Sequence, residues 1–399
     1  MQTFSTPHVG AVNDLTARWC AAAGDGDFVV SGAGLWPLLA LLAAAADGPA
    51  RSELEAAVGL PAEAAQEAAL RTLDILAEAV DLSAALGIWV RGDLPLHDEW
   101  LSSLPVGTVD LLTGQPALDE WARRHTEGLI ERFPLPVTPD TLLVLATALA
   151  AKTSWRFPFR DTVMSPEAGP WRGRRISALT RTDHDLRKVA VLDDERPVTR
   201  LIVAGKADLD VHLLIGSDSP AEVLATGLSA LGGSVPYRTG LDAGPVAPGL
   251  TARQVFGYEQ LDRLEVRLPP FAIRSEHDLM KQAELFGLRA ASDRGRGHFP
   301  RISPTPLAID KGAQDVLAKF DREGFEAAAV TALSMNVGAA PARPEQRHTT
   351  VLELDFDRPF GFLAVHRPSG MAVVAGWVAN AADAPPPNPY PVPVPGFPR

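Results

Sequence analysis

The chain has 399 residues, 46% hydrophobic and 22% charged, which is the balance of a folded chain and excludes a disordered or collagenous one. Lys+Arg number 37 against 49 Asp+Glu, a net charge of −12 that argues against nucleic-acid or anionic-membrane partners. The single cysteine, Cys20, excludes an internal disulfide and a cysteine-based zinc site.

In chain order, the longest apolar run is Ala33 to Ala46, and it falls short of the roughly 20 residues a membrane span needs. Acidic Asp14, Asp25 and Asp27 precede it instead of the basic flank of a signal peptide. The run is expected to be a buried helix and the chain cytoplasmic. Residues 35–46 and 50–58 are predicted helices parted by Asp47-Gly48-Pro49, and 61–79 are strong helix formers behind Pro61. Residues 82–90 are a predicted buried strand. Leu118, Trp121, Ala122 and Ile130 share a stripe, which predicts a helix over 118–133. Residues 142–150 are almost continuously apolar, as in a strand covered on both faces.

Residues 160–250 mix short strands with Gly/Pro turns. Residues 263–268 then alternate, with Leu264, Val266 and Leu268 on one face. Ser275 is a candidate N-cap, with Asp278 three residues on and Gly287 as the stop, predicting a helix. Residues 351–356, 360–366 and 371–378 are predicted strands, the last two a hairpin. Mixed helices and strands without a βαβ rhythm indicate an α+β fold. Proline is in surplus at 35, and eight of these lie between Pro385 and Pro398, an extended polyproline-like segment.

Catalytic motifs are not found: no phosphate loop, no nucleophile elbow and no close histidine pair. The chain is not expected to be an enzyme, and no cofactor or metal is expected. His277 is expected at the surface or capping, His366 in the core or at its rim, and Cys20 as a plain, half-buried thiol. Residues 320–350 begin like a strand and then lose apolar order for about twenty residues. A loop of that length inside a domain is functional or flexible. A flexible excursion and a protease-facing loop both fit its small, Pro-spaced composition.

Several motifs, in order, resemble the serpin family over residues 11–380. They include Lys152, Trp155, Pro158 and Phe159 in "KTSWRFPF", the block "LEVRLPPFAIRSEHDL", the hinge-like "EGFEAAAVTA" and the C-terminal "FDRPFGFLAVHRPSGMAVVAGWVAN". The resemblance implies a large central mixed or antiparallel sheet, two smaller sheets, surrounding helices and an exposed reactive loop, with 381–399 as a Pro-rich tail. It implies a suicide inhibitor of serine or cysteine endopeptidases: a monomer forming a 1:1 covalent complex, its cleaved loop entering the central sheet. The family's more usual setting is extracellular. The hinge maps to Gly324, Phe325, Glu326, Ala327, Ala328, Ala329, Val330 and Thr331. Small side chains at the inward positions avoid overpacking of about 1–3 kcal/mol per site. Counting from Gly324 and back from Pro359 brackets the bait bond at Gly338, Ala339, Ala340 or Ala342, small residues suited to an elastase- or subtilisin-like target. The region that controls sheet opening maps to Ser31, Gly34, Thr147, Trp155 and Gln314, with Gly34, Thr147 and Gln314 standing where the family has Ser, Asn and His. Phe325 shares parity with Ala327, Ala329 and Thr331 and so points inward. Its bulk motivates the alternative, a non-inhibitory serpin acting as a binding or interaction module.

Overall fold

The computed structural model describes residues 6–193, 195–244, 246–259, 261–325 and 346–386. Its first third is mostly helical: α1 (Pro7–Ala22), β1 (Phe28–Val30), α2 (Gly32–Ala45), α3 (Gly48–Val58) and α4 (Ala62–Glu78). α2 has no polar face, so it is buried almost all round and forms the helical centre of the core. α3 stops at Gly59, whose φ of 72° is the left-handed cap that glycine adopts without strain.

Then follow β2 (Leu82–Val90), α5 (Asp98–Ser102), β3 (Val109–Leu111), α6 (Gln115–His125), β4 (Leu143–Ala151) and β5 (Thr153–Ser154). The middle holds β6 (Arg160–Met164), β7 (Ile176–Asp183), β8 (Val189–Leu192), β9 (Val198–Ala204), β10 (Leu209–Ile215) and α7 (Pro220–Leu231). It continues with β11 (Tyr237–Thr239), β12 (Val246–Ala247), β13 (Leu250–Gly257) and β14 (Arg263–Leu268). The last part is β15 (Phe271–Asp278), β16 (Ala313–Phe320), β17 (Gly324–Phe325), β18 (Arg347–Asp355), β19 (Phe360–His366) and β20 (Met371–Val378).

These strands make four sheets. A seven-stranded sheet runs β1-β20-β19-β10-β9-β8-β11 and a six-stranded one β12-β13-β18-β14-β7-β6. A four-stranded sheet, β15-β16-β17-β5, and a three-stranded one, β3-β2-β4, complete the set. The predicted hairpin is β19–β20, antiparallel and buried along both strands. Two reciprocal carboxylate contacts tie the three-stranded sheet to the seven-stranded one. Asp81 accepts from the amides of Asp208 at 3.2 Å and Leu209 at 3.1 Å, and Asp208 accepts from those of Val80 at 2.8 Å and Asp81 at 3.1 Å.

Three sequence expectations need correction. The helix predicted over 118–133 ends at His125, because the Thr126 hydroxyl donates to Ala122 O, its oxygen takes the Ile130 amide, and Glu127 and Gly128 turn to positive φ. The helix expected from Ser275 is instead β15, whose eight residues pair with β16; the Ser275 hydroxyl accepts from Val29 N at 3.0 Å. Pairing with a neighbouring strand outweighs local helix propensity there. The fold also runs past residue 380. Ser177 N donates to Ala382 O at 2.9 Å, Ala384 N to Arg175 O at 2.8 Å, and Arg174 pairs with Asp383 at 2.8 Å. Residues 382–384, within the segment expected as tail, therefore lie along the start of β7.

Two single residues also differ from expectation. His277 is half-buried in β15, its Nε2 2.7 Å from Val29 O and its ring edge-on to Trp19. Cys20 is fully buried, which pushes its thiol up to about 12.

Candidate functional site

β4 and β5 are one strand interrupted at Lys152, and β17 lies between β5 and β16. Below β17, no strand among the described residues lies between β4 and β16, and the two do not pair with each other. The four- and three-stranded sheets are thus two halves of one sheet, joined at the top and parted below. A cavity of about 630 Å³ fills the parting. Its walls are β4, residues 308–317 of the β16 side, the Leu35, Leu38, Leu39 and Leu42 face of α2, and Trp121 with the segment after α6. β4 alternates buried and half-buried positions, so one face and one edge give onto this space rather than both faces being covered.

The upper end is built around Trp155 and Phe325. Phe325 pairs with Phe320 of β16 on one side and Thr153 of β5 on the other, and is 1% exposed. Its ring points inward as the parity argument required, and lies 6.3 Å from that of Phe362. The bulk that motivated the non-inhibitory alternative is already accommodated, in a pocket the sheet provides. Gly324 is required beside it, since a Cβ would lie 2.3 Å from Thr153 O. Trp155, fully buried, donates from Nε1 to Asp321 O at 2.8 Å and packs 4.6 Å from Phe320. Asp321 also receives the amides of Glu323 at 2.9 Å and Gly324 at 3.1 Å, turning the chain back from β16 into β17. Sequence reasoning passed over Asp321. The signal was present: Asp three residues before Gly in "FDREG" is the pattern of an Asx-turn. Arg322 points outward, 3.1 Å from Asp161 and 3.3 Å from Glu323.

Midway down, four of the five opening-region residues meet at the start of α2. The Ser31 hydroxyl accepts from Gly34 N at 3.0 Å and donates to Val373 O at 2.7 Å. Gln314 of β16 accepts from Ser31 N at 3.1 Å and donates to Ser31 O at 3.0 Å. Thr147 of β4 donates to Gly34 O. The two walls of the gap are thus hydrogen-bonded to the same helix start, one by Gln314 and the other by Thr147. Gly34 leaves room for this, with a Cβ only 3.1 Å from the Ser31 hydroxyl and 3.4 Å from Gln314 Nε2. Trp155 stands apart, at the upper end.

Glu326, Ala327, Ala328, Ala329, Val330 and Thr331, and the bait-bond candidates Gly338, Ala339, Ala340 and Ala342, lie outside the described residues, as do residues 387–399 of the expected tail. Among the described residues no cluster of His, Cys, Asp and Glu could hold a metal, and no helix is long and apolar enough to cross a membrane.

Among the described residues the central sheet is held together at the top by β17 and parted beneath, an arrangement that can take up one more strand. That is the architecture of serpins. The serpin (serine protease inhibitor) family model matches residues 12–168 and 250–381, and this chain belongs to that family. Plasminogen activator inhibitor 1 of Bos taurus is 25% identical over 321 residues, 75% of this chain and 71% of that protein. Serine proteinase inhibitor 1 of Myxoma virus is 22% identical over 369 residues, 88% of this chain and 86% of that protein. Among solved structures, thyroxine-binding globulin in complex with thyroxine has a TM-score of 0.68 at 14% identity, covering 94% of this chain and 99% of that one. Cleaved Serpin 42Da also reaches 0.68 at 14% identity, covering 94% and 98%. These structures establish the α+β serpin fold. The relatives are mainly protease inhibitors by name, while the globulin binds thyroxine, so one fold carries both kinds of role. Serpins act on proteases as inhibitors rather than as catalysts. The unmatched stretch, 169–249, carries β7 to β12 and α7, within the span least legible in the sequence.

Proposed function

We propose that this chain is a suicide inhibitor of a serine-type endopeptidase of elastase- or subtilisin-like specificity, acting as a monomer on one protease at a time. The observation that carries the reading is the parting between β4 and β16 with Phe325 already seated at its top. A strand inserted in continuation of the Phe325↔Phe320 register would set Ala327 opposite Ala318 and Ala329 opposite Val316. Those inward positions are small, so a strand can enter without displacing the core.

The protease's serine attacks the bait carbonyl among residues 338–342 and forms an acyl-enzyme ester, and the amine of the following residue leaves. The freed strand then fills the parting before water can cleave the ester. The gain is strand pairing on both edges plus burial of the apolar lining, and the uninserted form persists because of a kinetic barrier. Incubation with elastase and with subtilisin tests this on a denaturing gel. The expected result is a covalent band at the summed mass, together with a large rise in thermal midpoint for loop-cleaved chain. Clean cleavage with neither band nor stabilisation would leave the non-inhibitory binding module as the function.

A further inference from the structure

We infer that the end of β13, centred on Phe256, is a second docking surface for the target endopeptidase. The inference rests on the reading of residues 326–345 as protease bait. β12 pairs only with Leu250 and Thr251 of β13, so from Ala252 onward the outer edge of β13 has no neighbouring strand among the described residues. At the end of that edge Phe256 is 59% exposed, its ring 4.9 Å from that of His348. The charges along the edge are already matched. Arg253 pairs with Glu353 at 2.7 Å and with Glu265 at 3.6 Å, and Gln254 donates to Thr350 at 2.9 Å. An unguarded strand edge ending in an aromatic ring, without unpaired charge, is a surface suited to a protein partner.

The length of chain outside the described residues says which partner. β13 runs toward the point where the chain returns to the sheet, with Phe256 opposite His348 and Gly257 opposite Arg347. Ala342 is five positions and Gly338 nine positions before Arg347, where β18 starts, so the bait bond lies within ~18 to ~32 Å of the strand start. A compact endopeptidase of about 240 residues has a radius of gyration of about 18 Å, hence a body radius of about 23 Å. An enzyme that holds this bond in its surface cleft has a body comparable in size to the tether and can therefore reach the end of β13. On the other side Phe325 and Gly338 are thirteen positions apart, a reach of up to ~45 Å. The enzyme therefore sits nearer Phe256 than Phe157, which is equally exposed at 56% but lies by the far anchor of the loop.

The test is the second-order rate of covalent-complex formation with subtilisin and with elastase for wild type, F256S, F256Y and F157S, alongside thermal midpoints. F256S is expected to slow association about tenfold, an effect of ring truncation at an interface. F256Y should restore it, and F157S should stay within twofold. An unchanged rate for F256S, or an equal loss for F157S, overturns the docking surface while leaving the inhibitory reading intact. Absence of any complex with wild type overturns both.

Discussion

Gln314 is the side chain through which the β16 wall of the gap holds the start of α2, and removing it is the sharpest test of that arrangement. Its amide meets both the N–H and the C=O of Ser31, at 3.1 and 3.0 Å, and Ser31 is 3% exposed. Gln314→Ala leaves one buried donor and one buried acceptor without partners, each costing about 1–3 kcal/mol. Water reaching Ser31 through the gap recovers part of this, so the net loss is about 2–3 kcal/mol. Unfolding entropy near 2.1 cal/mol/K per residue makes that a fall of roughly 3 °C in thermal midpoint for a chain this long. Gln314→Glu separates the two contacts. The introduced carboxylate still accepts from Ser31 N but turns a negative oxygen toward Ser31 O. Protonated, it can donate there. Folding thus raises its pKa above the unfolded value, so the deficit is absent below about pH 4.3 and grows as pH rises from there through the folded pKa. Melts at one fixed scan rate, at pH 4.5 and 7.5, read the difference from wild type at each pH; the rate is fixed because such unfolding is kinetically governed. A Gln314→Ala midpoint within 1 °C of wild type, or a Gln314→Glu deficit equal at both pH values, would show that Gln314 does not hold Ser31 through this pair of contacts.

Other expectations follow from buried groups elsewhere. His212, buried beside Arg200, has its imidazole depressed to about 3 by burial and then by that guanidinium. Its contribution is present above the unfolded value of about 6.5 and lost as pH falls toward 3, several kcal/mol in all, so His212→Phe should flatten the acid limb of stability over that window. A limb as steep as wild type would count against it. Cys20, with its thiol near 12, should resist a disulfide reagent at pH 8 in the native chain and react at once in denaturant; fast native labelling would contradict the burial. Arg367 spans Asp210 at 2.7 and 2.8 Å and the carbonyls of Ala207 and Gly205. Arg367→Ala should cost about 2–4 kcal/mol by leaving a largely buried carboxylate without its cation, read as a lower denaturation midpoint.

The helices α2, α3 and α4 and the strands β2, β14, β18, β19 and β20 could be read from the sequence because each carries an unbroken period or an apolar run of the right length, whereas α1 was not predicted. β15 could not: Ser275, Asp278 and Gly287 form a helix signature, and only the eight-residue partner β16, far along the chain, decides otherwise. The end of α6 was hidden for a related reason, since the Thr126 hydroxyl that closes it looks like any other polar helix residue. At the site, Ser31, Gly34, Thr147 and Gln314 were brought together by family resemblance rather than by pattern. Residues 31, 147 and 314 are too far apart in sequence for any local rule to link them. The parting of the sheet left no mark, because β4 and β16 have the composition of ordinary inner strands. Its absence of pairing is a property of two segments at once.

That parting gives strands from the middle of a sheet the exchange behaviour of rim strands. In antiparallel pairs, alternate residues turn their N–H groups to the partner and the rest turn away. On β4 the first set is protected by β2, and on β16 by β15. The second set faces the cavity and should exchange with deuterium quickly, giving a period-two comb of fast and slow amides along 143–151 and 313–320. When a strand fills the space, the fast teeth of both combs should turn slow together, reporting insertion residue by residue without a protease in the sample tube.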